Sequence, residues 1–152
     1  MERHCYFENE GARLLAALHL PDEGFPRRPL GLVYLHGWAG YRIGPHQMFT
    51  KMARRAEAQG FCSLRFDFRG RGDSEGATQD TTLTTMIADA VAATRFLLAE
   101  TGLERVALIG DCSGSEVALG AGPLHQAIAA MVLWSAPIVA GDRRLSDSAK
   151  RR

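Results

Sequence analysis

Val106-Ala107-Leu108-Ile109-Gly110-Asp111-Cys112-Ser113-Gly114-Ser115 is the stretch that decides the reading of this chain. An apolar run, Val106 to Ile109, has the character of a buried strand. It meets Gly110, then Cys112, then Gly114, and a helix-like segment follows. This G-x-C-x-G spacing suits a sharp turn that presents a nucleophile at the top of a sheet, with sulfur where serine oxygen more often stands. The flanking glycines remove Cβ atoms that would clash in so tight a bend. The helix that follows directs its free N–H groups toward the cysteine, which favours negative charge there.

Two further segments stand upstream in a telling order. Leu30-Gly31-Leu32-Val33-Tyr34-Leu35-His36-Gly37-Trp38 is an apolar strand ending in His-Gly. Ser63 to Gly76 reads as a strand running into a glycine-rich turn, Arg69-Gly70-Arg71-Gly72-Asp73-Ser74. With these three motifs in this order, the chain resembles the α/β-hydrolase superfamily from residue 3 to about residue 140. The pattern is closest to bacterial esterase- or thioesterase-like members, and the cysteine is similar to that of dienelactone hydrolases. The resemblance implies a mostly parallel sheet with helices on both faces. It also implies an acyl-transfer site with Cys112 as nucleophile and the backbone amides of Trp38 and Ser113 as the oxyanion hole.

Bulk properties exclude several other classes. The chain has 152 residues, enough for one domain with a real core, with 46% hydrophobic and 23% charged residues. A net charge of +1 gives no case for nucleic acid or for a membrane surface. Cys5, Cys62 and Cys112 are an odd set with no C-x-x-C pair, which argues for reduced thiols and a cytoplasmic home. The N-terminus shows no apolar signal-peptide core, and the longest apolar stretch, 128–140, is too short to span a membrane. The histidines are scattered without metal-ligand spacing, and no cofactor motif is present.

Periodicity places the elements. Residues 3–8 and 12–20 read as a hairpin turning at Asn9-Glu10-Gly11. Strands are expected at 30–35, 61–68, 106–109 and 129–134. Helix one is expected from about Pro45 to Gly60. Helix two, capped by Asp80 or Thr81 and closed by Gly102, follows an apolar face at steps of three and four, and helix three starts at Ser113. Alternating strands and helices imply an α/β fold with right-handed crossovers. Residues 1–140 would be the N-terminal part of a hydrolase domain, and 141–152 a polar tail.

The resemblance also marks what is missing. In this family the acid and the histidine follow the nucleophile. The only histidine after Cys112 is His125, close behind helix three, while Asp142 and Asp147 lie in the tail. No triad partner is assigned, so the sheet is expected to be incomplete at the C-terminus. The leading expectation is hydrolysis of a carboxylic ester or thioester, with a small acyl compound as partner. The alternative is a non-catalytic remnant or binding fragment.

Other candidates have two readings each. His36 shapes the oxyanion loop or acts as a base, with support the favoured role. Trp38 lines the pocket or covers the sheet end. Arg42 binds a substrate carboxylate or belongs to a solvated loop, and His46 reaches the pocket rim or merely precedes a helix. Asp111 and Ser113 side chains are expected to be incidental, and Ser115 to be helix surface or core. Asp67 and Arg69 are expected to hold the glycine-rich turn rather than to bind an anion. The uncharged strand at 129–134 would be left at the sheet edge, so self-association through residues 128–138 is expected.

Overall fold

The computed structural model describes residues 1–136; the expected tail, 141–152, lies outside them. The strands are β1 (Glu2–Asn9), β2 (Ala12–His19), β3 (Gly31–Leu35), β4 (Ser63–Phe66), β5 (Val106–Asp111) and β6 (Ile128–Trp134). The helices are α1 (Met48–Glu57), α2 (Leu83–Thr101) and α3 (Ser113–Ala121). All six strands form one sheet in the order β1-β2-β4-β3-β5-β6. β4, β3, β5 and β6 run parallel, while β2 is antiparallel to both β1 and β4.

Period-two alternation sorts the side chains between two layers. Val33 and Leu35 of β3 face the larger core, with Met86, Ala90 and Leu97 of α2 and Val117 of α3. Leu32 and Tyr34, the alternate residues, face α1 and pack with Phe49 and Ala53. Helices therefore cover both faces. Each fully buried Leu or Phe contributes roughly 1.5–3 kcal/mol.

Local chemistry explains the element ends. Glu10 (φ 49°) and Gly11 (φ 81°) are both left-handed, as a tight two-residue hairpin turn requires. Gly102 closes α2 with φ 69°. The cap of α2 is Thr82, whose hydroxyl accepts from the Thr85 amide, and not Asp80 or Thr81. Thr81 instead donates to the Arg69 carbonyl and is consumed by the glycine-rich turn. Helix α1 also departs from expectation. Pro45–Gln47 form a short 3-10 turn in which His46 (φ 50°) and Gln47 (φ 62°) are left-handed, so the α-helix begins only at Met48. β4 ends at Phe66, although the Asp67 amide still donates to the Leu15 carbonyl of β2 at 3.0 Å.

At the far edge, β6 is paired on one side only among the described residues. Met131, Val132, Leu133 and Trp134 are 39–50% exposed. No helix among the described residues is long and apolar enough to cross a membrane.

Candidate active site

Cys112 sits between β5 and α3 with φ 53° and ψ −123°, a conformation that costs a non-glycine residue roughly 1–3 kcal/mol. Surrounding bonds hold it there. Its amide donates to the Trp134 carbonyl at 2.9 Å, and its carbonyl accepts from the Ser115 amide at 2.9 Å. Ser115, fully buried, places its hydroxyl 3.0 Å from both the Gly110 and the Trp134 carbonyls, so it ties the turn to β6. The glycines are forced by close approach. A Cβ on Gly110 would lie 2.4 Å from the Gly114 carbonyl oxygen, and one on Gly114 would lie 2.1 Å from that of Leu35. The thiol of Cys112 is exposed, whereas Cys62 is buried and Cys5 half-buried.

The loop after β3 lies against this turn. A Cβ on Gly37 would meet Cys112 Cβ at 3.2 Å. The Trp38 and Ser113 amides donate to no acceptor among the described residues. His36 is buried beneath the loop rather than poised in the site. Its Nε2 accepts from the Phe68 amide at 3.3 Å, which leaves the proton on Nδ1, 2.8 Å from the Gly37 carbonyl. Burial holds its pKa below the ordinary value of 6.5. The imidazole thus links the loop after β3 to the residue Phe68 beyond β4.

The glycine-rich turn is built around two buried carboxylates. Asp67, fully buried, accepts from the Arg42 amide at 2.5 Å, from the Arg42 guanidinium and from the Asp73 amide at 3.0 Å. Gly72 is required beside it, since a Cβ there would lie 2.2 Å from Asp67 Oδ2. Asp89 of α2 takes the Arg69 guanidinium at 2.7 Å and the Arg69 amide at 3.1 Å. Arg42 is not among the residues that line the cavity over Cys112. Its guanidinium is committed to Asp67 and Asp73, which corrects the pocket role considered from sequence.

A cavity of about 540 Å³ opens over Cys112. Trp38, Tyr41, His46 and Asp111 line it, with His36 at its base. His46 thus reaches the rim, and Trp38 is a wall. Asp111 is also among the residues that line the cavity. No sequence signal separates that placement from an outward one. His125 lies before the amino end of β6, where its carbonyl accepts from the Ile128 amide. Cys112 lies beyond the carboxyl end of β5, which runs parallel to β6, so the two are at opposite ends of the sheet. Asp142 and Asp147 lie outside the described residues.

A second polar cluster, illegible in the sequence, lies away from the cavity. The fully buried His19 accepts from Arg65 Nε at Nε2 (3.0 Å), so its Nδ1 carries the proton and donates to Glu57 at 3.0 Å. Arg65 also donates to Glu2 at 2.7 Å. Burial, reinforced by the Arg65 charge, holds the His19 pKa below 6.5. Both His19 and His36 are therefore depressed in the folded state. Above about pH 6.5 neither folded nor unfolded chain protonates them, and they add no pH dependence. Below it the unfolded chain takes up protons that the fold resists, so stability falls. Burial raises the carboxyls of Glu2 and Glu57, but their cationic partners outweigh it and hold both below the ordinary value, which extends the loss to lower pH. The urea midpoint is expected to drop between about pH 7.5 and about pH 5.5. An unchanged midpoint would contradict the neutral, buried assignment of both histidines.

Known proteins align with this arrangement. The alpha/beta hydrolase fold family model matches residues 32–148. The human protein ABHD12B is 37% identical over 90 residues, covering 59% of this chain and 24% of its own length. A Pyrococcus furiosus esterase superposes with a TM-score of 0.77 at 25% identity, over 99% of this chain and 59% of its own. Est1E from Butyrivibrio proteoclasticus, solved with ferulic acid bound, gives a TM-score of 0.75 at 23% identity, over 87% of this chain and 52% of its own. The chain thus spans less than two thirds of each of these relatives. With the family model covering most of the chain, from β3 through the cysteine turn to β6, the protein belongs to the alpha/beta hydrolase fold family.

Proposed function

We propose that this chain carries the nucleophile half of a hydrolase for carboxylic esters or thioesters. The observation that carries the reading is Cys112, held at φ 53° with its exposed thiol at the mouth of the cavity. The sulfur attacks the acyl carbonyl and forms a tetrahedral oxyanion. The uncommitted Trp38 and Ser113 amides receive that charge, a contribution worth roughly 3–4 kcal/mol per donor in other enzymes. Collapse expels the leaving group and leaves an acyl-cysteine, which water then hydrolyses.

Among the described residues no histidine is hydrogen-bonded to Cys112, and none of them is placed to protonate the leaving group. Thiolate and phenolate leave without a general acid far more readily than an alkoxide does. Thioesters and aryl esters are therefore the substrates on which the described residues could act by themselves. The lack of a base paired with Cys112 among the described residues is also what favours the second reading, a non-catalytic binding fragment. An activated aryl ester separates the two. With p-nitrophenyl acetate we expect a p-nitrophenolate burst stoichiometric with the chain, then slow turnover, and no burst from Cys112→Ala. Absence of a burst in the parent chain leaves the binding reading.

The same chain is proposed to self-associate. Ile128–Trp134 carries no charge, and among the described residues its outer edge pairs with no strand. The segment first expected to pair, 128–138, extends past the described residues. Static light scattering at micromolar concentration should show mass rising with concentration. A constant monomer mass would contradict it.

A further inference from the structure

One wall of the cavity over Cys112 is fastened from behind by a residue that does not line it. Tyr41, Gly44, Pro45 and His46 belong to that wall. Arg42, within the same stretch, is held on one side by Asp67, which accepts from its amide and its guanidinium. On the other side Nη1 of Arg65 donates to the Arg42 carbonyl at 3.1 Å. The same nitrogen reaches the Thr50 hydroxyl of α1, also at 3.1 Å, so Arg65 clamps both the loop and the helix it leads into. Arg65 is 2% exposed, so water does not replace these bonds.

Arg65 keeps this position only while His19 is neutral. Nε2 of His19 accepts from Arg65 Nε at 3.0 Å, a bond that needs a free lone pair. The charged groups that face the imidazole are Arg65 of β4, Glu57 of α1, 3.0 Å from Nδ1, and Glu2 of β1, opposite His19 in register. Glu57 is shared with the Met1 ammonium, and Glu2 with His4, Arg54 and Arg65. A proton on Nε2 turns the acceptor into a donor and sets two cationic N–H groups against each other in a buried site. Glu57 stays with the imidazolium. Arg65, on its long side chain, withdraws toward Glu2, which already accepts from its Nη2 at 2.7 Å.

We infer that Arg65 is a positioning residue for the cavity wall and that His19 makes its grip sensitive to pH, so that acid loosens residues 41–50 before the fold is lost. Burial, reinforced by the Arg65 charge, sets the His19 pKa below 6.5. An open state freed of Arg65 recovers part of that shift. The opening equilibrium therefore grows as pH falls below about 6.5, by up to about tenfold per pH unit. His36, the other depressed histidine, bonds to Gly37 and Phe68, outside residues 41–50.

The bearing on catalysis rests on the cavity being the acyl site, but the test needs no reactive thiol, so the two readings fail separately. Amide hydrogen exchange of residues 41–50 is followed at about pH 7.5 and about pH 5.5, with times scaled for the intrinsic pH dependence of exchange. The amides of β5 report global opening. Protection of residues 41–50 should fall roughly three- to tenfold more than that of β5. His19→Gln keeps an acceptor for Arg65 and a donor for Glu57 but takes up no proton, and it should abolish the extra fall with His36 untouched. An extra fall that persists in the variant, or protection lost only in step with β5, overturns the inference. If the variant fails to fold, an NMR titration of the parent chain decides. The amide shifts of residues 41–50 should follow the His19 midpoint, and shifts indifferent to it overturn the inference.

Discussion

Replacing Gly114 by alanine is expected to abolish the native fold or to destabilise it by more than about 3 kcal/mol. The added Cβ would sit 2.1 Å from the Leu35 carbonyl oxygen and 2.9 Å from that of His36. These are backbone atoms of β3 and of the loop it feeds, so no side chain can swing aside. Relief requires α3 to separate from β3, which opens the larger core. Gly102→Ala provides the contrast. A Cβ there meets nothing within 4 Å, and only the left-handed φ of 69° is strained. That change should cost about 1 kcal/mol. Urea unfolding of the two variants gives the comparison. Similar midpoints would show that the turn is looser than the contacts require.

Asp67→Ala is expected to cost roughly 3–5 kcal/mol, the range for removing one partner of a buried ion pair. Asp67 joins two loops that would otherwise be independent. It accepts from Arg42 beyond β3 and from Asp73 in the glycine-rich turn. Without it, the buried guanidinium side of Arg42 keeps only Asp73, and two backbone amides lose their acceptor. Asp67→Asn keeps an acceptor oxygen and should cost clearly less. The loss should appear at the cavity too, because Arg42 lies close behind Tyr41 in the loop that forms its wall. Equal stability of the alanine and asparagine variants would mean that the acceptor oxygen kept by asparagine does not hold the loops.

The elbow was legible because its glycines answer to hard contacts. Gly110 and Gly114 leave a spacing in the sequence that only a tight strand-to-helix turn explains, and strands β3 and β5 show their burial as continuous apolar runs. The partners of Arg42 were not legible, for the opposite reason. Its partner Asp67 lies 25 positions away, and nothing local distinguishes an arginine bound for a carboxylate from one bound for a ligand. The start of α1 was misplaced because the left-handed turn at His46 and Gln47 uses residue types that do not announce it. His19, Arg65 and Glu57 come from β2, β4 and α1. Their pairing depends on sheet order and register, which periodicity within one strand does not encode.

The central claim is that Cys112 is the acyl acceptor. Its most direct measurement is peptide mass mapping after brief exposure to p-nitrophenyl acetate and acid quenching. The account predicts an acetyl group on Cys112, close to one per chain, with Cys5 and Cys62 unmodified. Acetylation spread over Cys5 as readily as Cys112, or absent from Cys112, would contradict it.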